Sequence, residues 1–176
     1  MGEKEKHPLS SNSTSGYRIR LMESSDISAV EAINLTSWPG YTTSELLEKR
    51  YGQIEGRPWQ ERITNDVLTH IQRDDVTTFV AEVDDEVIGY AAAQIETEPS
   101  PSEIGIVSYN AVSPDHRGMG IGSALVQQVM DYLEEQGARI LLVWTLEVGE
   151  TARHIYESHG FEELTRFVYY SKEVKD

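Results

Sequence analysis

Between Val112 and Gly122 the chain reads Val-Ser-Pro-Asp-His-Arg-Gly-Met-Gly-Ile-Gly, joining a run of strand-forming residues directly to a run of helical spacing. Gly118, Gly120 and Gly122 stand at alternate positions. Residues without a Cβ let the backbone approach a ligand closely and turn successive N–H groups inward. A helix that starts on them adds the partial positive charge of its first amides at the same spot. The result is an anion cradle that suits a diphosphate, and Arg117 adds a permanent charge with a planar fork of donors. Alone, the glycines fit equally well a tight turn that needs them only for geometry. The surrounding pattern has to decide.

That pattern describes one domain. Residues 1–15 are polar, lack apolar periodicity and are expected to form a flexible tail before a domain spanning 16–176. Tyr17–Leu21 alternates as a strand, and Ser24 or Ser25 is expected to cap a helix carrying Ile27, Val30 and Ile33, which ends at Trp38-Pro39-Gly40. A second helix is expected from Thr43. A third follows Pro58, with Trp59, Ile63, Val67 and Ile71 on one face. Thr77–Val83 and Val87–Glu96 read as a hairpin turned at Asp84–Glu86, Pro99–Ser102 as a loop, and Ile104–Val112 as the next strand.

After the glycine turn, Ile121, Leu125, Val129 and Leu133 define a helix stopped at Gly137. Arg139–Leu146 is expected as a buried strand, Thr151–His159 as a helix closed by Gly160 and Phe161, and Phe167–Ser171 as a last strand. Antiparallel strands early and alternating strands and helices late predict an α/β (α+β) fold: one mixed, mostly antiparallel sheet with helices on both faces.

Charge and composition narrow the function. A net charge of −15 works against nucleic acid or anionic membrane as a partner and favours a cationic one. The same field opposes a polyanionic ligand, so the donors of the turn become necessary. The chain has no cysteine, and its histidines show no metal-ligand spacing, so no metal is expected. No apolar run approaches eighteen residues and no secretory signal is readable, which makes a cytoplasmic protein the expectation.

Two other glycine-rich loops compete. The turn lacks the Lys and Ser/Thr order of a phosphate loop, which disfavours nucleotide hydrolysis. A dinucleotide-binding fingerprint is nearer, with Gly118, Gly120 and Ser123 and with Glu147 ending the following strand. Only one short strand-helix unit remains after Glu147, too little to complete a doubly wound sheet.

Val112, Pro114, Arg117, Gly118, Gly120, Ile121 and Gly122 resemble the acyl-coenzyme A binding motif of the GNAT superfamily of N-acetyltransferases, and Ala152, Arg153, Tyr156, Glu157, Gly160 and Phe161 are similar to its late helix and closing turn. The resemblance implies splayed central strands, with acetyl-coenzyme A held by Ala111, Val112, Arg117, Gly118, Met119, Gly120, Ile121, Gly122 and Ser123. It implies transfer of the acetyl group to a primary amine by direct attack through a tetrahedral intermediate. Tyr156 is then expected as general acid and the Val112 N–H as oxyanion donor. A packed aromatic is the other reading of Tyr156.

The base is less marked. Relatives often carry a glutamate where Ser108, Tyr109 and Asn110 stand, so Glu103, acting through water, is the nearest candidate, with Glu96 and Glu98 behind it. Gly149 replaces an asparagine that in many relatives bonds the pantetheine arm. His116 beside the cradle offers a further donor. The acceptor, a small-molecule or protein amine, is expected over Trp38–Arg73 and the last strands, among Trp38, Tyr41, Tyr51, Trp59, Tyr169 and Tyr170. A homodimer stays open as a partner, and a non-catalytic acyl-coenzyme A sensor stays open as an alternative.

Overall fold

The computed structural model describes residues 16–95 and 103–174; the expected tail 1–15, the loop Pro99–Ser102 and the carboxylates of Glu96 and Glu98 lie outside the described residues. The elements are β1 (Arg18–Leu21), α1 (Ile27–Ser37), α2 (Thr43–Tyr51), α3 (Trp59–Ile71), β2 (Val76–Val83), β3 (Glu86–Ile95), β4 (Ile104–Val112), α4 (Ile121–Glu135), β5 (Ile140–Val143) and α5 (Glu150–Ser158). The strands lie side by side in the order β1-β2-β3-β4-β5. All neighbours are antiparallel except β4 and β5, which α4 joins as a parallel crossover. At the β2–β3 hairpin Asp84 and Asp85 take φ of 47° and 66°, the left-handed pair that a two-residue hairpin turn needs.

The pleat divides the core into two layers, as alternation along a strand requires. Phe79, Ala81, Ile88, Ala91, Ala93 and Val107 face Ile121, Leu125, Val129 and Leu133 of α4. Val80, Tyr90, Ala92 and Ala111 face Val30 and Ile33 of α1 and Val67 and Ile71 of α3. Helices therefore cover both faces. Buried Asn34 fixes α1 on its layer: its Nδ2 donates to the Val30 carbonyl, while its Oδ1 accepts from Trp38 Nε1 and from the Tyr90 hydroxyl, each at 2.6 Å. A buried amide satisfied in this way ties the last turn of α1 to β3.

Three expectations need correction. Neither Ser24 nor Ser25 caps α1. A 3-10 turn, Ser24–Asp26, precedes it, and the Asp26 carboxylate accepts the Glu23 N–H at 2.7 Å because Arg20 holds it there. The strand expected over Arg139–Leu146 shrinks to Ile140–Val143 and is not buried; Ile140 is 55% exposed, since only β4 pairs with it. Phe167–Ser171 forms no strand. Strand propensity is realised only against a paired edge, and this segment is tethered elsewhere: Arg166 pairs with Glu147 and Glu163, and Tyr51 on α2 donates to Ser171 at 2.9 Å.

Candidate active site

The ladder between β3 and β4 slips by one residue. Ala92 pairs with Tyr109 and Ala93 with Val107, so Ser108 is the extra residue of a β-bulge. On the other side of β4, pairing with β5 stops at Val107 and Val143. From Ser108 onward β4 has no strand partner on this side among the described residues, because β5 ends at Val143, and a gap opens where strands were expected to splay.

The ladder also fixes which backbone groups face the gap. The Ser113 N–H donates to the Ile88 carbonyl at 2.8 Å. Backbone direction alternates along a strand, so Ala111 and Tyr109 likewise turn to β3, whereas Val112 and Asn110 turn to the side that β5 has left. Val112 thus points its N–H into the gap. Ala111, expected beside it, lends its amide and carbonyl to β3. Asn110, which the sequence reading passed over, takes its place, and its Nδ2 also donates to the Gly122 carbonyl at 3.1 Å.

At the turn itself, Gly118 and Gly120 both have φ of 78°, a left-handed conformation that side chains rarely adopt, and a Cβ on either would meet open space. The glycines therefore serve backbone conformation and leave the outer side of the cradle clear. No side chain caps α4, whose earliest backbone bond toward the turn runs from the Ala124 N–H to the Gly120 carbonyl. The amides of Ile121, Gly122 and Ser123 are left without intrahelical acceptors. These donors, with the positive end of the helix, are what a diphosphate requires.

Arg117 does more than the sequence indicates. Its Nη2 donates to the Ser37 carbonyl at 2.8 Å and its Nε to the Val112 carbonyl at 3.3 Å, so the guanidinium clamps the end of α1 to the end of β4. Its charge remains at the cradle, but two of its donor nitrogens are engaged. His116 Nδ1 is buried without a hydrogen-bond partner. The Ser123 hydroxyl meets His159 Nε2 at 2.8 Å, while His159 Nδ1 lies 3.1 Å from Gln127 Oε1. Since an amide oxygen only accepts, Nδ1 carries the proton and Nε2 accepts from Ser123.

Tyr156 packs from α5 against the α4 layer, its ring edge-on to Phe161 at 6.0 Å. Burial pushes its hydroxyl up to about 12, so it holds its proton throughout the neutral range. At Gly149 an added Cβ would collide with Thr145 Oγ1 and come within 3.0 Å of the Leu146 carbonyl. The loop as folded has no room for a side chain at position 149 unless Thr145 and the Leu146 carbonyl shift.

Glu103 is not brought to this place. It lies just before β4, with its carbonyl accepting the N–H groups of Arg139 and Ile140 and its carboxylate paired with Arg139 at 3.1 Å. Nine residues of strand to Val112 correspond to roughly 30 Å. At the bulge there is instead a pocket of about 270 Å³ lined by His70, Arg73, Gln94, Ser108, Tyr109 and Trp144. His70 Nε2 lies 2.9 Å from Ser108 Oγ, and its ring stands edge-on to Tyr109 at 5.2 Å. Ordinary alternation would send Ser108 and Tyr109 to opposite faces. The bulge lets both meet His70, a convergence no periodic reading of the sequence reveals. Of the aromatics expected near an acceptor, Trp59 is core and Trp38 packs edge-on to Tyr109 at 6.3 Å. Among the described residues, no group of three or more His, Asp or Glu side chains is gathered for a metal, and no helix is long and apolar enough to cross a membrane.

Comparison with known proteins agrees with this geometry. The chain is 32% identical over 95 residues to an uncharacterized N-acetyltransferase of Methanocaldococcus jannaschii, covering 53% of this chain and 42% of that one. It is 33% identical over 96 residues to an uncharacterized N-acetyltransferase of Bacillus subtilis, covering 54% and 64%. It thus spans about half the length of the curated relatives it matches. Among solved structures, the aminoglycoside N-acetyltransferase AAC(6')-Iy in complex with CoA shares the fold with a TM-score of 0.61 at 21% identity, over 96% of this chain and 100% of that one. The ribosomal-protein-S18-alanine N-acetyltransferase of Escherichia coli does so with 0.62 at 22%, over 85% and 79%. Residues 40–161, which carry the bulged strand, the glycine turn and the Tyr156 helix, match the acetyltransferase (GNAT) family, and the chain belongs to that family.

Proposed function

We propose that the protein is an N-acetyltransferase that takes the acetyl group of acetyl-coenzyme A and transfers it by direct attack to a primary amine. The observation that carries this reading is the uncapped start of α4, where left-handed Gly118 and Gly120 open onto clear space beside the edge of β4 that β5 has left. The amides from Gly118 to Ser123 hold the diphosphate, and the edge of β4 that β5 has left, with the outward backbone groups of Asn110, pairs with the pantetheine arm as an added strand would. Relatives named as N-acetyltransferases, and a structural neighbour crystallised with CoA, support the same donor.

The residues then divide the chemistry. The Val112 N–H donates to the thioester oxygen as negative charge grows there. The Tyr156 hydroxyl, kept protonated by burial, supplies a proton to the leaving sulfur. The acidic chain, with a net charge of −15, draws a cationic acceptor toward the site. The neighbours act, by their names, on aminoglycosides and on a ribosomal protein's alanine, and both supply amines. Acetyl-coenzyme A is mixed with kanamycin, with spermidine and with an alanine-initiated peptide, and free thiol is followed. Amine-dependent thiol release is expected with at least one of them; tight coenzyme A binding with no release from any would leave a binding module in place of an enzyme.

A further inference from the structure

We infer that His70 is the general base of the acetyl transfer, oriented by Ser108, and that its Nδ1 is the atom that accepts the proton from the attacking amine. The inference rests on the acetyltransferase reading and fills the role for which Glu103, paired with Arg139 at the far end of β4, is badly placed.

The hydrogen bonds fix the tautomer. Ser108 Oγ has one proton and two neighbours, the Ala92 carbonyl at 3.1 Å and His70 Nε2 at 2.9 Å. The carbonyl can only accept, so the hydroxyl donates to Ala92 and receives the Nε2 proton of His70. The lone pair of neutral His70 is therefore on Nδ1. The arrangement has the logic of a base held by a third group, with a bulge serine as the orienting partner.

The surroundings keep this imidazole neutral. Its pKa is lowered first by burial and then by the Arg73 guanidinium, with Asp75 pulling the other way. Arg73 is itself held by Asp75 in two hydrogen bonds of 2.9 and 2.6 Å, and Gln94 donates to the same carboxylate. The other residues lining the pocket with the ring, Ser108, Tyr109 and Trp144, carry no charge at neutral pH, and Asp66, one turn earlier on α3, is the further carboxylate on this side, acting on Tyr109. A base must be unprotonated to act, and these neighbours deliver it in that form. The pocket stands at the bulge, where β5 ends and that side of β4 becomes unpaired.

In the step itself the amine nitrogen forms a bond to the thioester carbonyl carbon and loses one proton to His70 Nδ1. The carbon–sulfur bond breaks, and the sulfur leaves with a proton from Tyr156. The products are the N-acetyl amine and the free thiol; His70 then releases its proton to solvent and Tyr156 regains one.

The test pairs kinetics with spectroscopy on the full chain. His70→Gln is expected to lower kcat about 100-fold with the KM for acetyl-coenzyme A unchanged, and to abolish the rise of kcat/KM through the His70 titration, which in wild type lies below pH 6.5. Ser108→Ala is expected to give a smaller loss and to shift that rise. Independently of turnover, ¹⁵N spectra of His70 in the wild-type protein should report a proton on Nε2 at pH 7.5. Wild-type thiol release with full activity in His70→Gln, or a proton on Nδ1, overturns the base while leaving the acetyltransferase reading intact. No thiol release by wild type with any amine overturns both.

Discussion

Arg117 reaches from the glycine turn to Ser37, its Nη2 2.8 Å from the carbonyl in the last turn of α1. That carbonyl is one of those a helix leaves without an internal partner, and a cation there also meets the negative end of the helix. The glycine turn, the end of α1 and the end of β4 are thereby joined through one guanidinium. Arg117→Ala is expected to cost about 1 kcal/mol, a fall of about 2–4 °C in Tm, and to weaken coenzyme A binding about tenfold. Arg117→Lys keeps the charge but not the fork, so it should lose similar stability and less affinity. Thermal melts and calorimetric titration with coenzyme A measure the two effects separately; an Arg117→Ala protein with unchanged affinity would show that the backbone amides suffice.

The two ends of α4 offer a matched pair for the cradle. Gly120 at its start and Gly137 beyond its end have φ of 78° and 96°, and a Cβ on either would meet open space. Alanine at each should therefore cost a similar amount, about 1–2 kcal/mol of backbone strain. Only the Gly120 end of α4 belongs to the proposed cradle, so Gly120→Ala is expected to raise the Kd for coenzyme A at least 30-fold while Gly137→Ala leaves it within about twofold. Equal effects on binding would reduce the turn to a fold device.

Tyr156→Phe removes one oxygen from a ring that otherwise packs on Phe161 and the α4 layer. Its fold and its KM for acetyl-coenzyme A should stay as in wild type, and kcat should fall about 100-fold if the hydroxyl protonates the leaving sulfur. Because burial raises the hydroxyl to about 12, the wild-type rate should not decline between about pH 7 and pH 10 through loss of this acid. Full turnover in Tyr156→Phe would assign the residue to packing alone.

What the sequence disclosed depended on how local the cause was. The glycine turn, the periodic face of α4, the hairpin and the left-handed caps at Gly137 and Gly160 each follow from residues adjacent in the chain, and all appear where expected. The bulge at Ser108 has no such signature. It arises from the pairing of β4 with β3, and only through it do His70 and Ser108, 38 residues apart, become neighbours. Arg117 was legible as a cation but not as a clamp, since Ser37 lies 80 residues away. The expected strand over Phe167–Ser171 failed for the converse reason: strand-forming composition was present, and tethering through Arg166 and Ser171 placed it apart from an edge.

Stability toward acid should centre on Arg20. Its guanidinium reaches Asp26 at 2.6 Å and Glu82 at 2.7 Å, and both carboxylate side chains are less than a tenth exposed, at 8% and 9%. The hydrogen bonds from Arg20 hold both carboxyls below their ordinary values of 3.8 and 4.5, with Arg18 adding to the effect on Glu82. A carboxyl depressed in the folded state binds its proton more readily when unfolded, so it contributes stability above the unfolded value and loses it as pH falls through the folded one. The contribution should therefore be constant from about pH 7 to pH 5, begin to fall as pH drops through the unfolded values, and be lost only below the lowered folded ones. Arg20→Met leaves two nearly buried carboxylates without their main partner and should be markedly less stable at pH 7. As pH drops and both acids become neutral, the gap in denaturation midpoint between wild type and Arg20→Met should close. A gap that stays constant down to pH 3, or widens, would remove this cluster from the acid response.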